Sequence, residues 1–269
     1  MTGSDTAFAG AVPRAYETYL VPLLFEPYAD DLVDRLVPLK PTRVLEIAAG
    51  TGVVTRAMAS RLPDSAAITA TDLNQPMLDQ AAAIGASRPI EWRQADALQL
   101  PFSGESFDAV VCQFGVMFFP DRPRAYAEAR RVLRPDGLFL FNAWDRLEDN
   151  ELALLAQEGL ATLFPGDPPG FMERTPHGYF DTDRIRRDLA DAGYGAPPRI
   201  DTVALRSRAR SARDAAIAFC HGTPLRGEIE SRGSNLDAAT AAAEAAIAQR
   251  FGSGAVDAKM QAHVVAVRG

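Results

Sequence analysis

Cysteine is scarce in this sequence, and that scarcity excludes a class of small secreted domains. Only two cysteines, Cys112 and Cys220, occur among the 269 residues. A disulfide framework needs more of them, and no Cys-x-x-Cys pair indicates a metal site. Histidine is also scarce, with three residues, and no grouping with carboxylates predicts a metal ligand set. We therefore expect neither disulfides nor a metal.

The sequence also has no excess of positive charge and no long apolar run. Its net charge is −7, whereas nucleic-acid-binding domains usually carry a basic face, so no nucleic-acid partner is expected. No apolar run reaches the length of a membrane span. Residues 1–11 are small and polar, are expected to fray, and lack the features of a secretory signal. A cytoplasmic location without a membrane span is predicted, while the oligomeric state stays open.

Apolar runs alternate with helical segments between residues 43 and 144. This rhythm predicts right-handed crossovers and parallel strands covered on both faces. Residues 134–137, Arg-Pro-Asp-Gly, are predicted to form a turn. The expected strands are residues 44–47, 67–71, 90–94, 108–113 and 138–144.

Two further strand-like runs, residues 200–206 and 261–268, are expected to pair at the sheet edge. The predicted fold class is α/β, with a doubly wound, mostly parallel seven-stranded sheet of Rossmann-like type and helical cap elements at the N-terminus and in the C-terminal half. Residues 41–145 are predicted to be the cofactor-binding core. Residues 146–269 are predicted to hold cap insertions and the last two strands of the same domain.

An aromatic helical segment precedes the first strand. Residues 13–39 are interpreted as two helices broken at Pro22 and Pro27, because proline interrupts a helix and suits its first turn. Residues 1–40 are accordingly predicted to be an N-terminal helical lid. The alternative is a helix pair packed by its own rings.

The chain is organised around residues 44–52, Val-Leu-Glu-Ile-Ala-Ala-Gly-Thr-Gly. A buried strand leads into a tight turn, and a helix begins near Val53. Gly50 and Gly52 allow the backbone to turn sharply and to approach a ligand closely, and the helix start adds unpaired N–H donors. Glu46 is the one charged residue in the strand. This pattern predicts a site for a nucleotide-type cofactor.

The spacing of the glycines distinguishes between cofactors. A dinucleotide fingerprint, G-x-G-x-x-G, has a third glycine under the pyrophosphate, but here the sixth position is Thr55. Asp72, twenty residues past Gly52, suits a ribose in either case. The residues therefore predict an adenosine-like ligand and leave the diphosphate open.

Five segments in sequence order carry a family resemblance. They are the turn at residues 44–52, Ala-Thr-Asp-Leu at 70–73, Gln-Ala-Asp-Ala at 94–97 with Leu-Pro-Phe at 100–102, Ser-Phe-Asp at 106–108, and Val-Leu-Arg-Pro-Asp-Gly at 132–137. Together they resemble the class I S-adenosylmethionine-dependent methyltransferases, in particular the small-molecule and quinone methyltransferases. The resemblance covers about residues 42–144. It implies S-adenosyl-L-methionine as cofactor and a small-molecule methyl acceptor as substrate.

The resemblance implies roles for the residues of the first two motifs. Glu46 would anchor the glycine turn and the methionine end of the cofactor. Gly50 and Gly52 would let the backbone approach it. Asp72 would accept the ribose hydroxyls, and Leu73 would pack on the adenine.

The later motifs imply the rest of the cofactor site. Asp96 would accept the adenine amino group, the Ala97 N–H would donate to the ring, and Met77 would flank it. Gln113 would lie beside the methionyl chain. Ala48 stands where the family usually has its first glycine, and its methyl group is expected to narrow the pocket slightly.

An alternative interpretation of the acidic residues is purely structural. Asp72 and Asp96 would then cap strand ends, and Glu46 would be a buried, paired acid. Three carboxylates at the carboxyl ends of successive parallel strands, where open α/β sheets bind ligands, favour a site.

The sequence gives fewer signals for the residues that bind the methyl acceptor. Methyl transfer needs a base only when the acceptor must lose a proton, and His177, in an irregular insertion, is the candidate base or substrate contact. Tyr16, Tyr19 and Phe118 are candidate substrate contacts. Strand four ends in Cys-Gln-Phe-Gly, not in the Asn/Asp-Pro-Pro-aromatic sequence of the related enzymes that methylate nucleobase or glutamine amino groups.

Three hypotheses follow. The first is S-adenosylmethionine-dependent transfer of a methyl group to a small molecule by in-line displacement. The second is an NAD(P)-dependent oxidoreductase, which Thr55 disfavours. The third is a noncatalytic cofactor-binding protein on the same fold.

Overall fold

The computed structural model describes residues 12–269, and the expectation for residues 1–11 lies outside them. A seven-stranded sheet has the order β3-β2-β1-β4-β5-β7-β6. The β1–β2, β1–β4, β2–β3 and β4–β5 pairs are parallel, and one antiparallel hairpin completes the sheet. The strands are β1 Arg43–Ile47, β2 Ala67–Asp72, β3 Glu91–Gln94, β4 Phe107–Gln113, β5 Leu133–Trp144, β6 Arg199–Ala209 and β7 Val256–Arg268.

The predicted fold class is confirmed, including the pairing of the last two strands with each other at one edge. The chain moves outward from β1 to β3 and then returns to the other side of β1 with β4. This reversal is a topological switch point. In open α/β sheets, ligands bind in the crevice beyond the carboxyl ends of the strands at such a point.

Helices connect the strands and form the remaining structure. A continuous helical segment precedes β1, made of α1 Val12–Ala15, a π-helix Tyr16–Phe25, α2 Glu26–Leu36 and a 3₁₀ turn Val37–Leu39. None of the helices within residues 12–269 has both the length and the apolar composition needed to cross a bilayer. The other helices are α3 Val53–Arg61, α4 Gln75–Ile84, α5 Arg122–Val132, α6 Glu151–Leu163, α7 Phe171–Arg174, α8 Thr182–Asp191, α9 Ala212–Gly222, α10 Leu225–Ser231 and α11 Leu236–Phe251.

Two compact units divide the chain. The sheet-core unit consists of Tyr28–Ala143, Tyr179–Val203 and Ala262–Gly269. On one sheet face, α2 and α3 pack on alternate residues of the strands, including Leu138 and Leu140 of β5. Phe139 and Phe141 point to the other face, where the Tyr126 ring of α5 lies 5.6 and 5.3 Å from their centroids. Burial on both faces explains the continuous apolar runs in the sequence.

The helical unit consists of the described residues up to Pro27, Trp144–Gly178 and Ala204–Gln261. Its helices α6, α9 and α11 pack against one another. One close approach is at Gly159 of α6, where a Cβ atom would lie 2.5 Å from the Ala242 carbonyl oxygen of α11. Only a residue without a side chain permits that distance, so Gly159 sets how closely α6 and α11 pack.

Two predicted boundaries are wrong. Pro22 does not break the first helix but lies inside the π-helix. Proline removes one i→i−4 hydrogen bond, and the backbone accommodates this by widening its turns rather than by ending the helix. Residues 134–137 do not form a separate turn before the strand. They belong to β5 as an irregularity, where the register with β4 jumps from Phe107↔Leu133 to Ala109↔Leu138.

Candidate functional site

The turn after β1 has left-handed backbone at three positions. The φ angles are 55° at Ala48, 57° at Gly50 and 84° at Gly52. Glycine adopts this conformation at no steric cost, whereas alanine does so under strain. Gly52 has a second reason to be glycine, because a Cβ atom there would lie 2.8 Å from the Trp92 ring. The sequence prediction of a sharp glycine turn leading into α3 is confirmed.

Asp72, at the end of β2, holds this turn in place. One carboxylate oxygen accepts a hydrogen bond from the Gly50 N–H at 2.8 Å, and the other accepts from the Asn74 N–H at 2.8 Å. The side chain is buried, and burial raises its pKa against the opposing effect of these hydrogen bonds. Asp72 therefore joins the turn after β1 to the end of β2, which is a structural role of the kind that the alternative interpretation of the acidic residues proposed.

Glu46 is the fourth of the five residues of β1, near its carboxyl end, and is only 1% exposed. The Thr55 hydroxyl of α3 donates a hydrogen bond to its Oε2. Among the described residues, Glu46 forms no salt bridge within 4 Å. Burial raises the pKa of Glu46 to about 8, although the Thr55 hydrogen bond and the Arg56 charge oppose the rise. The site therefore contains a buried carboxyl group that is only partly compensated.

Thr55 is a site residue whose role sequence reasoning missed. Its position was interpreted only as the absence of a third glycine, yet its hydroxyl is the hydrogen-bond partner of Glu46. The available signal was a hydroxyl side chain in the first turn of α3, on the helix that follows the strand carrying the buried acid.

The free energy of unfolding should depend on Glu46 in a defined pH range. The ordinary carboxyl pKa is 4.5 and the folded value is about 8, so the folded state holds the proton more tightly than the unfolded chain. Stability should therefore fall as pH rises from about 4.5 to about 8 and change little from this source above that. In the variant Glu46→Gln this fall should be absent in urea unfolding measured across the range.

The matched control for that experiment is Glu91→Gln. Glu91 on β3 also accepts a threonine hydroxyl, from Thr69 at 3.0 Å, but it is exposed. The control should retain the wild-type pH dependence. An unchanged pH dependence in Glu46→Gln would contradict the assignment of this effect to Glu46.

The residues expected at the adenine lie beyond β2 and β3. Leu73 directly follows Asp72 and is 52% exposed, which is unusual for a large apolar side chain. Met77 is buried in α4, and Ala97 is partly buried. Asp96 is exposed, and its carboxylate accepts a hydrogen bond from the Leu98 N–H at 2.9 Å. Leu73 therefore offers an exposed apolar surface directly after Asp72, whose carboxylate is held in position by backbone N–H groups.

The end of β4 packs against the glycine turn. Gln113 is the last residue of β4 and is buried. Phe114 follows with a φ of 50°, and its N–H donates to the Asn142 side chain at 2.8 Å. A Cβ atom at Gly115 would lie 2.5 Å from the Ala48 Cβ and 2.8 Å from the Cys112 Sγ. The Ala48 methyl group thus occupies the space that a side chain at position 115 would need.

The candidate substrate contacts do not all lie in one unit. Phe118 ends a 3₁₀ turn, Val116–Phe118, in the sheet-core unit and is partly buried. Tyr16 and Tyr19 belong to the π-helix of the helical unit and are also partly buried. Tyr16 stacks on Phe25 with ring centroids 5.0 Å apart.

His177 follows α7 in the helical unit and is buried. Its Nδ1 lies 2.8 Å from the Asp145 carbonyl oxygen, and its ring centroid is 6.0 Å from that of Trp144. Burial lowers the pKa of His177 to about 4, so the imidazole is neutral at physiological pH. Across residues 12–269, we find no cluster of three or more His, Cys, Asp or Glu side chains able to hold a metal.

Comparison with known proteins shows which proteins the chain is similar to. Residues 45–141 match a family described as a methyltransferase domain. The malonyl-[acyl-carrier protein] O-methyltransferase of Geobacter sulfurreducens is 38% identical over 58% of this chain and 57% of its own. The ubiquinone/menaquinone biosynthesis C-methyltransferase of Dinoroseobacter shibae is 34% identical over 46% of this chain and 51% of its own. The chain therefore spans about half the length of these relatives.

A solved structure agrees on the fold. The phosphoethanolamine N-methyltransferase 2 of Haemonchus contortus, in complex with S-adenosyl-L-methionine, superposes with a TM-score of 0.61 at 16% identity, covering 100% of this chain and 60% of that one. Residues 45–141 are thus similar to the methyltransferase domains of known proteins. The more specific resemblance to the class I methyltransferases of small molecules, predicted from the sequence, is also confirmed.

Proposed function

We propose that this chain transfers a methyl group from S-adenosyl-L-methionine to a small-molecule acceptor. The observation that carries the proposal is Glu46, a buried carboxyl group at the switch point without a salt-bridge partner among the described residues. Burying a carboxylate is costly unless a positive charge or hydrogen bonds compensate it. A cofactor with a sulfonium and an ammonium group supplies positive charge that favours the ionised form of this carboxyl group, whereas the negatively charged pyrophosphate of NAD supplies none. This favours the methyltransferase over the oxidoreductase hypothesis.

The other residues of the site fit the same ligand. The turn at Gly50 and Gly52 leaves room for close approach to the backbone. Asp72 accepts from the N–H groups of Gly50 and Asn74, and its two carboxylate oxygens have further acceptor capacity for ribose hydroxyls. Leu73 offers exposed apolar surface to an adenine ring. We assign Asp96 and Ala97 to the edge of the adenine ring and Met77 to the flank of that ring. Ala48 and Gln113 are assigned to the methionyl chain of the cofactor.

When bound, S-adenosylmethionine supplies an electrophilic methyl group whose reactivity belongs to the cofactor itself. The chain has to hold an acceptor in line with that group and exclude water. We assign cofactor binding to residues 41–145. Residues 1–40 and 146–269 are our candidates for selection of the acceptor. The individual candidate contacts are Tyr16, Tyr19, Phe118 and His177.

The names of the relatives narrow the acceptors to test. One relative is named for methylating a malonyl group on acyl-carrier protein and another for methylating a quinone precursor. A panel of phenols, quinols and carboxylic acid thioesters, with S-adenosylhomocysteine measured as product, tests the proposed activity. We expect turnover with at least one class and none with Asp72→Ala. Tight cofactor binding without turnover across the panel would favour the noncatalytic hypothesis.

Cofactor binding should also release a proton at pH 7. Glu46 is protonated there when no ligand is bound, because its pKa is about 8, and a bound cation favours its ionised form. Titration calorimetry in buffers of different ionisation enthalpy should detect release of up to about one proton per cofactor in the wild type. The Glu46→Gln variant should release none from this source. Equal release in both proteins would contradict a cationic ligand group near Glu46.

A further inference from the structure

The segment that follows β4 forms a tight turn within the sheet-core unit. Residues 114–119, which we call the post-β4 loop, contain the 3₁₀ turn Val116–Phe118. The Phe118 N–H donates to the Gly115 carbonyl oxygen at 3.0 Å. Two residues proposed for the site belong to or border this loop, Phe118 within it and Gln113 just before it. Whatever holds this loop in place therefore influences both of these side chains.

Arg122, the first residue of α5, binds the backbone of this loop with two donors. Its Nε–H donates to the Val116 carbonyl oxygen at 3.1 Å, and its Nη2 donates to the Met117 carbonyl oxygen at 2.8 Å. Nε and Nη2 lie on one edge of the planar guanidinium, so two neighbouring carbonyl groups can be bound at the same time. A lysine ammonium has no such fixed pair of donors. Arg122 therefore fixes the orientation of the post-β4 loop as well as its position.

The guanidinium of Arg122 lies over an aromatic ring and is not paired with an acid. Arg122 is partly buried and, among the described residues, forms no salt bridge within 4 Å. Its Cζ atom lies 4.2 Å from the ring centroid of Tyr179, within the range of a cation–π contact. Burial lowers the pKa of Arg122, which is the direction expected for a cation without a carboxylate partner. With no carboxylate bound, the donors of Arg122 remain available to the loop.

The ring of Tyr179 is itself held in place. It is buried, and its hydroxyl donates to the Asp188 carboxylate of α8 at 2.6 Å. The Tyr126 hydroxyl of α5 donates to the Tyr179 oxygen at 3.2 Å. All of these residues lie in the sheet-core unit. A side chain held by packing and by two hydrogen bonds provides a fixed surface against which Arg122 is oriented.

The post-β4 loop also packs closely on the glycine turn. A Cβ atom at Gly115 would lie 2.5 Å from the Ala48 Cβ, so the backbone of the loop lies directly against the Ala48 methyl group. Groups packed at this density do not move independently of one another. Displacement of the loop would therefore also displace the turn of residues 48–52, where we place the cofactor.

Resting on the proposed methyl transfer, we propose that Arg122 is a positioning residue of the cofactor site. It acts through the post-β4 loop and not through a contact with the cofactor. Its two donors hold the loop in the position in which Gly115 packs against Ala48. Without Arg122 the turn Val116–Phe118 is free to move, and affinity for S-adenosylmethionine falls because the site must then be ordered on binding.

Calorimetric titration of the full chain with S-adenosylmethionine tests this role without turnover. Arg122→Met should raise the Kd about 10-fold or more, because hydrogen bonds from a charged group and the order of the loop are lost together. Arg122→Lys keeps the charge but cannot present two parallel donors, so its Kd should lie between those of Arg122→Met and the wild type. An unchanged Kd in folded Arg122→Met would overturn the proposal.

Arg88→Met is the matched control for a purely structural effect. Arg88 also donates to backbone carbonyl oxygens, those of Pro63 at 2.5 Å and Met58 at 3.0 Å. These contacts lie at the end of α3 opposite to the glycine turn. This variant should lose stability in urea unfolding and keep the wild-type Kd. An equal rise in Kd in both methionine variants would mean that affinity follows overall stability, and the positioning role of Arg122 would be refuted.

Backbone amide resonances provide a second readout that needs no cofactor. In Arg122→Lys the amide resonances of Val116–Phe118 and of residues 48–52 should shift together, whereas both sets should stay in place in Arg88→Met. Shifts confined to α5 and the post-β4 loop would overturn the coupling to the glycine turn. Failure of the wild type to bind S-adenosylmethionine, with the coupled shifts present, would refute the proposed function and leave the coupling through Arg122 supported.

Discussion

Replacement of Asp72 by asparagine is expected to weaken S-adenosylmethionine binding by about 100-fold or more, because two sets of interactions are lost together. The carboxylate that we assign to the ribose hydroxyls disappears. In addition, the asparagine amide has two orientations. In one, an NH₂ group replaces the oxygen that accepts from the Gly50 N–H at 2.8 Å. In the other, the NH₂ group faces the Asn74 N–H. In either orientation one backbone donor of the site loses its acceptor.

Isothermal titration of folded variants measures this effect. Asp79→Asn is the matched control, because Asp79 is an exposed carboxylate on α4 whose partner is the Gln75 side chain at 2.7 Å. It removes the same charge outside the site and should bind like wild type. A loss shared equally by both variants would mean that net charge, and not the Asp72 contacts, determines affinity.

Replacement of Gly115 by alanine is expected to lower the free energy of unfolding by about 1–3 kcal/mol, the usual cost of overpacking. The backbone of Gly115 is ordinary, with a φ of −97°, so the effect is steric. The new methyl group would lie 2.5 Å from the Ala48 Cβ and 2.8 Å from the Cys112 Sγ. Cofactor affinity should fall as well, since the displaced residue belongs to the glycine turn.

Ala48→Gly should rescue this variant in part. It removes one of the two close contacts and relieves an alanine held at a φ of 55°, a strain of roughly 1 kcal/mol. A double-mutant cycle by urea unfolding should give a favourable coupling of about 1 kcal/mol or more. Gly195→Ala, where a Cβ atom meets nothing within 4 Å, should be close to neutral. Additive effects of the two site substitutions would contradict direct contact between positions 48 and 115.

The sheet core could be predicted from the sequence because each signal was local. Strands buried on both faces produced uninterrupted apolar runs such as those around Leu140 and Phe141, and Gly85 and Gly252 marked helix ends. The exposed edge strand β6 was still recognisable from its alternating pattern. The pairing of β6 with β7 could also be predicted, since few other sheet edges remained with which these two strands could pair.

Other features depended on tertiary contacts and were missed. The π-helix around Pro22 and the register jump in β5 are responses of the backbone to packing, which local residue preferences do not encode. The short helix α7 carries little periodic signal, and Glu228, a residue far along the chain, accepts from the N–H groups at its start.

In the candidate site, too, some features could be predicted from the sequence and others depended on tertiary contacts. The positions of Glu46, Gly50, Gly52 and Asp72 followed from the motif spacing. The bonds between them did not, because the Asp72–Gly50 and Glu46–Thr55 pairs join different strands and helices. For Ala48, the departure from the usual glycine was visible in the sequence. The closeness of the Ala48 Cβ to the position that a Cβ atom at Gly115 would occupy is visible only in the three-dimensional structure.

The central claim is that the buried carboxyl group and the glycine turn bind a sulfonium cofactor. Parallel calorimetric titrations of the full chain with S-adenosylmethionine, S-adenosylhomocysteine and NAD test it most directly. We expect the first two to bind with micromolar affinity and NAD not to bind. Binding of NAD, with no heat from S-adenosylmethionine at millimolar concentration, would contradict the account.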